Sequence, residues 1–152
     1  MQTSPARSLA ARMMVMQGVL LIAVAAMHLA MTEEIGRIVA ANTTPDAFRF
    51  LWPPYALDHI TVGVLLLALG LLAIVCAGGI RARERRAWWI ALINAIAILS
   101  LSPAIALTVG LRYFSEAPAF LIAAVIIAVL GVWMLLPLLW IRKEFFASKE
   151  TP

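Results

Sequence analysis

Between Ala119 and Leu139 the chain carries no charged side chain, and a stretch of that length and character has few places to go. About 20 apolar residues wound into a helix rise about 30 Å, which is the thickness of a bilayer's hydrocarbon core. In lipid every backbone amide must pair within its own segment, so the stretch reads as a transmembrane helix. Three further apolar runs complete a set of spans at about 13–31, 57–77, 87–111 and 118–141. With 64% hydrophobic and 13% charged residues among 152, the composition excludes an ordinary soluble domain of this length. The fold class that follows is all-α: an integral membrane four-helix bundle forming a single domain.

Orientation comes from the basic residues, which alternate between rich and poor flanks. Arg7 and Arg12 precede the first run, Arg81, Arg83, Arg85 and Arg86 separate the second from the third, and Arg142, Lys143 and Lys149 follow the fourth. The remaining connections hold only Arg37 and Arg49 in one and Arg112 in the other. The positive-inside rule then predicts cytoplasmic N and C termini in a bacterial-type inner membrane. The net charge of +4 sits beside membrane ends, so the lipid bilayer is its expected partner and nucleic acid is not. Trp88, Trp89 and Trp140 at one interface, and Trp52 and Tyr55 at the other, read as interfacial anchors. A cleaved signal peptide ending near Ala25 is a competing reading of the N-terminus, opposed by an apolar run that continues past that site. The lone Cys76 offers no disulfide within the chain and no thiolate zinc site.

The first outward connection, Thr32 to Ala56, is long for a link between helices and predicts a short outer cap. Asn42 to Asp46 is turn chemistry, and Ala47 to Trp52 reads as a short interfacial helix that Pro53 and Pro54 end or redirect. In the third run Pro103 predicts a kink, with Ser100 or Ser102 or a neighbouring helix meeting the freed carbonyl. Pro137 predicts the same in the fourth run.

The polar residues of the outward end are the candidates for function. An ionisable group in a membrane helix defaults to a functional hypothesis because its burial in lipid is costly. His28 and His59 lie at equivalent ends of the first two runs, with Glu33, Glu34, Asp58, Arg112 and Glu116 at the same end. Positions eleven apart on a helix fall within about 20° of one another. Gln17 therefore shares a face with His28, while His59 shares one with Gly63, Gly70, Ala73 and Ala77, and both faces should point into the bundle. Asn94 is the expected hydrogen-bond partner across helices, on a stripe with Ile105, Thr108 and Arg112.

His28, His59 and Asp58 are adequate metal ligands in type, and Met27 and Met31 beside His28 suit copper(I), although no standard ligand spacing is present. His28 and His59 are alternatively the axial pair of a b-type haem, or members of a network of ion pairs and caps in which Asp58 and Ser115 open helices. The first functional reading is a protein whose outward pocket of His28, Glu33, Glu34, Asp58, His59 and Arg112 binds a metal, haem or small amphipathic ligand. The rivals are a structural or assembly subunit docked to a membrane-protein partner or to a second copy, and an enzyme acting on a lipid-soluble substrate. A transporter is the least favoured, since no charged residue marks the middle of any span.

Overall fold

The computed structural model describes residues 4–110 and 118–146, and every regular element among them is helical. The order is α1 (Pro5–Ala30), α2 (Thr32–Ala41), α3 (Pro45–Arg81), α4 (Arg85–Val109), α5 (Pro118–Trp140) and α6 (Arg142–Phe146). Four of the helical segments are long and apolar enough to cross a membrane. The expected spans 13–31 and 57–77 lie inside the first two, and those at 87–111 and 118–141 overlap α4 and α5 over 87–109 and 118–140. The first two helices start earlier than the apolar runs do, at Pro5 and Pro45.

Side-chain exposure argues for lipid as the solvent. The buried positions include Gln17, Asn94 and many alanines, whereas Val75, Ile93, Leu107 and Ile122 are among the exposed ones. A water-soluble protein of this size does not leave that much branched apolar surface uncovered. In lipid, such surface is already solvated, and helices associate through small residues and polar groups instead.

The chain divides into two compact units, to both of which α1 and α3 contribute residues. The unit Gly18–Leu71 is a helical hairpin whose α1 and α3 segments meet at glycines. A Cβ on Gly70 would lie 2.8 Å from the Gly18 carbonyl oxygen, and one on Gly63 would lie 2.5 Å from the Leu29 side chain. The small-residue face read from the sequence is therefore a packing face. Thr44 opens α3, accepting from the Ala47 amide through Oγ1, with Pro45 in the first turn where its missing amide costs nothing.

Two expectations fail in this unit. Pro53 and Pro54 do not end a short helix; they sit inside α3, which runs unbroken for 37 residues. Proline's fixed φ is compatible with a helix, so the pair removes two backbone donors while the helical assignment continues through it. Phe48, Trp52, Tyr55 and His59 fall on one face at spacings of four, three and four, and their rings stack along the helix through the proline pair. Asp58 consequently lies well inside α3 and caps nothing.

The other unit joins Met1–Gln17 with Leu72–Pro152. Here α4 and α5 pack backbone to backbone: a Cβ on Gly131 would meet the Cα and amide nitrogen of Leu99 at 2.8 Å. Ser102 Oγ donates to the Ala124 carbonyl across the pair, and Asn94 Nδ2 donates to Met134 Sδ at 3.9 Å. Asn94 thus bonds across helices as expected. Ile105 and Thr108 of its stripe are exposed, and Arg112 lies outside the described residues. Neither serine meets the carbonyl freed by Pro103: Ser100 bonds Ala97 and Ser102 bonds α5. Gln17 is buried, and neither of its amide atoms has a hydrogen-bond partner among the described residues.

At its basic end this unit is clasped by side chains. Glu144 accepts from Arg7 Nε at 2.8 Å through one carboxylate oxygen and from Ser4 Oγ at 2.8 Å through the other. Arg7 also reaches the Arg81 carbonyl, Arg83 donates to the Glu144 carbonyl, and Arg85 donates to the Phe145 carbonyl. Arg83 itself adopts φ 61° where α3 ends, with Glu84 N bonded to Gly79 O and Arg83 N bonded to Ile80 O. That pair of bonds is the Schellman closure usually given to glycine. Trp88 is not an interfacial anchor: it is 2% exposed, and its indole donates to Leu138 O, one of the last four carbonyls of α5, which lack amide partners within that helix. Trp89 and Trp140 remain exposed.

Candidate functional site: a reciprocal histidine pair

His28 and His59 come together within the Gly18–Leu71 unit, as their shared end of two helices implies. The rings stack with centroids 3.7 Å apart and planes 25° from parallel. His28 Nε2 lies 3.1 Å from the His59 carbonyl oxygen, and His59 Nε2 lies 2.9 Å from the His28 carbonyl oxygen. A carbonyl only accepts, so both Nε2 atoms carry hydrogen. In the neutral rings Nδ1 is then the unprotonated nitrogen of each.

Local sequence explains the arrangement. His28 lies in the last turn of α1, where carbonyls lack amide partners within that helix, and the His59 imidazole supplies one. Gly63, one turn beyond His59, leaves room for Leu29 and for the edge of the His28 ring, 3.4 Å from where a Cβ would stand. On the other side of His59 the ring stack continues to Tyr55 at 6.2 Å, Trp52 at 6.0 Å and Phe48 at 5.8 Å. Trp52 in turn covers Gly36 of α2, where a Cβ would come within 2.8 Å of the indole. Five rings and a glycine thus link the α1 terminus, α2 and α3.

The acidic candidates do not converge on this pair. Asp58, Glu33 and Glu34 are exposed, and Glu34 pairs with Arg37 one turn along α2. Met27 and Met31 are exposed as well. Among the described residues no three of His, Cys, Asp and Glu gather as a metal-binding group. Arg112, Ser115 and Glu116 lie outside the described residues. For haem or metal to take Nε2 of either ring, a carbonyl bond would have to break and the stacked faces separate.

The residues that sequence reasoning missed are Phe48, Tyr55 and Gly36. The signal was available as the 48, 52, 55, 59 spacing, but it is visible only if the helix is carried through Pro53 and Pro54. Comparison of the chain with protein-family models, curated proteins and solved structures finds no match.

Proposed function

We propose that this chain is a small multi-pass membrane protein that serves as a structural or assembly subunit of a larger membrane complex. Its termini lie in the cytoplasm of a bacterial-type cell, and the His28 end lies on the outer side, capped by α2. The observation that carries the reading is the reciprocal bonding of His28 and His59. The imidazole donors are spent on the protein's own backbone, where they fasten a hairpin, while Glu33, Glu34 and Asp58 face outward at the same end. Charged groups of that kind, on a fastened support, suit the recognition of a partner's polar surface.

The test is purification in mild detergent from the native host. The same membrane protein should be recovered at fixed stoichiometry, and the combined Glu33→Gln, Glu34→Gln, Asp58→Asn variant should release it while remaining folded. Consistent recovery of the chain alone would overturn the proposal.

A second reading is favoured by one specific observation, the bonding of both Nε2 atoms to carbonyls, which in neutral rings leaves each Nδ1 unprotonated. The Nδ1 atoms can accept from the donor group of a small amphipathic ligand, or ligate a metal without breaking the Nε2 bonds. Metal content and an optical spectrum of the purified chain test the metal and haem versions. Stoichiometric metal or a haem band that His28→Ala removes supports this reading; a metal-free, colourless protein ends both versions.

A further inference from the structure

Two cations and an aromatic groove lie at the basic end of the unit that joins Met1–Gln17 with Leu72–Pro152. The groove is lined by Trp88, Trp89, Leu92, Leu139, Arg142 and Phe146, and a second depression that shares Leu139, Arg142 and Phe146 with it also takes in Lys143. Its shape is held by the clasp. Arg83 and Arg85 fix the backbone of α6, so the Phe146 ring packs edge-on to Trp88 at 5.0 Å and to Trp89 at 5.8 Å.

The charges around the groove are unequally engaged. Arg7, Arg83 and Arg85 are committed to Glu144 and to the carbonyls of residues 144 and 145, and Glu144 is saturated by Arg7 and Ser4. Arg142 and Lys143 are exposed and make neither hydrogen bond nor ion pair among the described residues. The one acid of α6 is thus consumed, and two cations are left at the groove mouth. Leu139 of the groove wall is exposed, as are Leu136 and Trp140 on the same helix. An occupant must therefore offer an anion at one end and an apolar chain at the other.

We propose that this groove is a binding site for an anionic phospholipid. Its phosphate lies against Arg142 and Lys143, and its upper acyl carbons run over Trp89, Leu92 and Leu139. The choice of a lipid rather than an acidic protein segment follows from the apolar wall, which opens onto the lipid-facing surface of α5. Tryptophan at a headgroup boundary and paired cations beside it are the recognition chemistry of such a site.

The experiment uses the full chain in detergent with equimolar dioleoyl phosphatidylglycerol and dioleoyl phosphatidylcholine, read by native mass spectrometry. Phosphatidylglycerol should be retained in preference. Arg142→Gln and Lys143→Gln should each weaken its retention about fivefold, the value of one cation near a headgroup. Arg12→Gln, an exposed cation elsewhere in the same unit, should change nothing. Trp89→Ala, which keeps every charge and removes one aromatic wall of the groove, should weaken retention too. Equal retention of the two lipids, an effect of Arg12→Gln as large as that of Arg142→Gln, or no effect of Trp89→Ala would each overturn the proposal.

Discussion

The imidazoles of His28 and His59 stack face to face at 3.7 Å, yet each directs its hydrogen bond past the other ring to the other residue's main-chain carbonyl. Side-chain substitution at one position therefore leaves the acceptor for its partner in place. His28→Ala and His59→Ala should each cost about 1–2 kcal/mol, from one bond and a share of the stack. A double-mutant cycle then isolates the ring contact alone, with an expected coupling of about 0.5–1 kcal/mol. Reversible unfolding in mixed micelles measures it. A coupling near zero would mean that the rings do not touch.

The unbroken course of α3 through Pro53 and Pro54 has a direct geometric consequence. From Asp46 to Ile60 a helix rises about 21 Å, whereas a chain redirected at the prolines brings the two positions closer. Spin labels at these exposed positions, with Cys76 replaced by Ser, should report a separation near the helical value. A distance below about 15 Å would restore the broken-helix reading.

That proline pair marks where legibility in the sequence ended. Spans, their order and the packing faces of Gly63 and Gly70 follow from hydropathy length and 3.6-residue periodicity, which act locally. The convergence of His28 and His59 was also legible, because equal depth on two adjacent helices is a property of the pattern. The carbonyl acceptors were not, since a backbone group has no sequence signature and the acids Asp58 and Glu33 looked like the natural partners. Likewise the arginines around Arg83 read as a generic positive flank. Their bonds to Glu144 and to the carbonyls of α6 depend on a five-residue helix whose polar composition gives no periodic signal.

Glycines of this chain divide into those that packing requires and those it does not. Gly131→Ala places a methyl 2.8 Å from the Leu99 backbone, which has no flexible end to yield, so α4 and α5 must separate. A loss of about 1–3 kcal/mol is expected. Gly78, within α3, has open space around the same position. Gly78→Ala should therefore be neutral or stabilising by about 0.5–1 kcal/mol, from helix propensity alone. Thermal unfolding of the two variants in one detergent gives opposite signs; equal destabilisation would contradict the close approach at Leu99.

Two ion pairs of one nominal chemistry should differ because of where they lie. Arg37 and Glu34 on α2 are 76% and 49% exposed, and a pair so solvated contributes about 0–0.5 kcal/mol that added salt removes. Arg7 and Glu144 are 13% and 31% exposed, and both carboxylate oxygens are engaged. Removing either partner strands the other in a poorly solvated site. Arg7→Ala and Glu144→Ala should each cost about 1–3 kcal/mol, and the double variant should cost clearly less than their sum, with coupling that persists in 1 M salt. Loss of Glu144 also frees Arg7 and Ser4 from α6, so Trp88 and Trp89, packed on Phe146, should report it as a change in emission. Additive losses with no change in tryptophan emission would show that α6 is held by Arg83 and Arg85 alone.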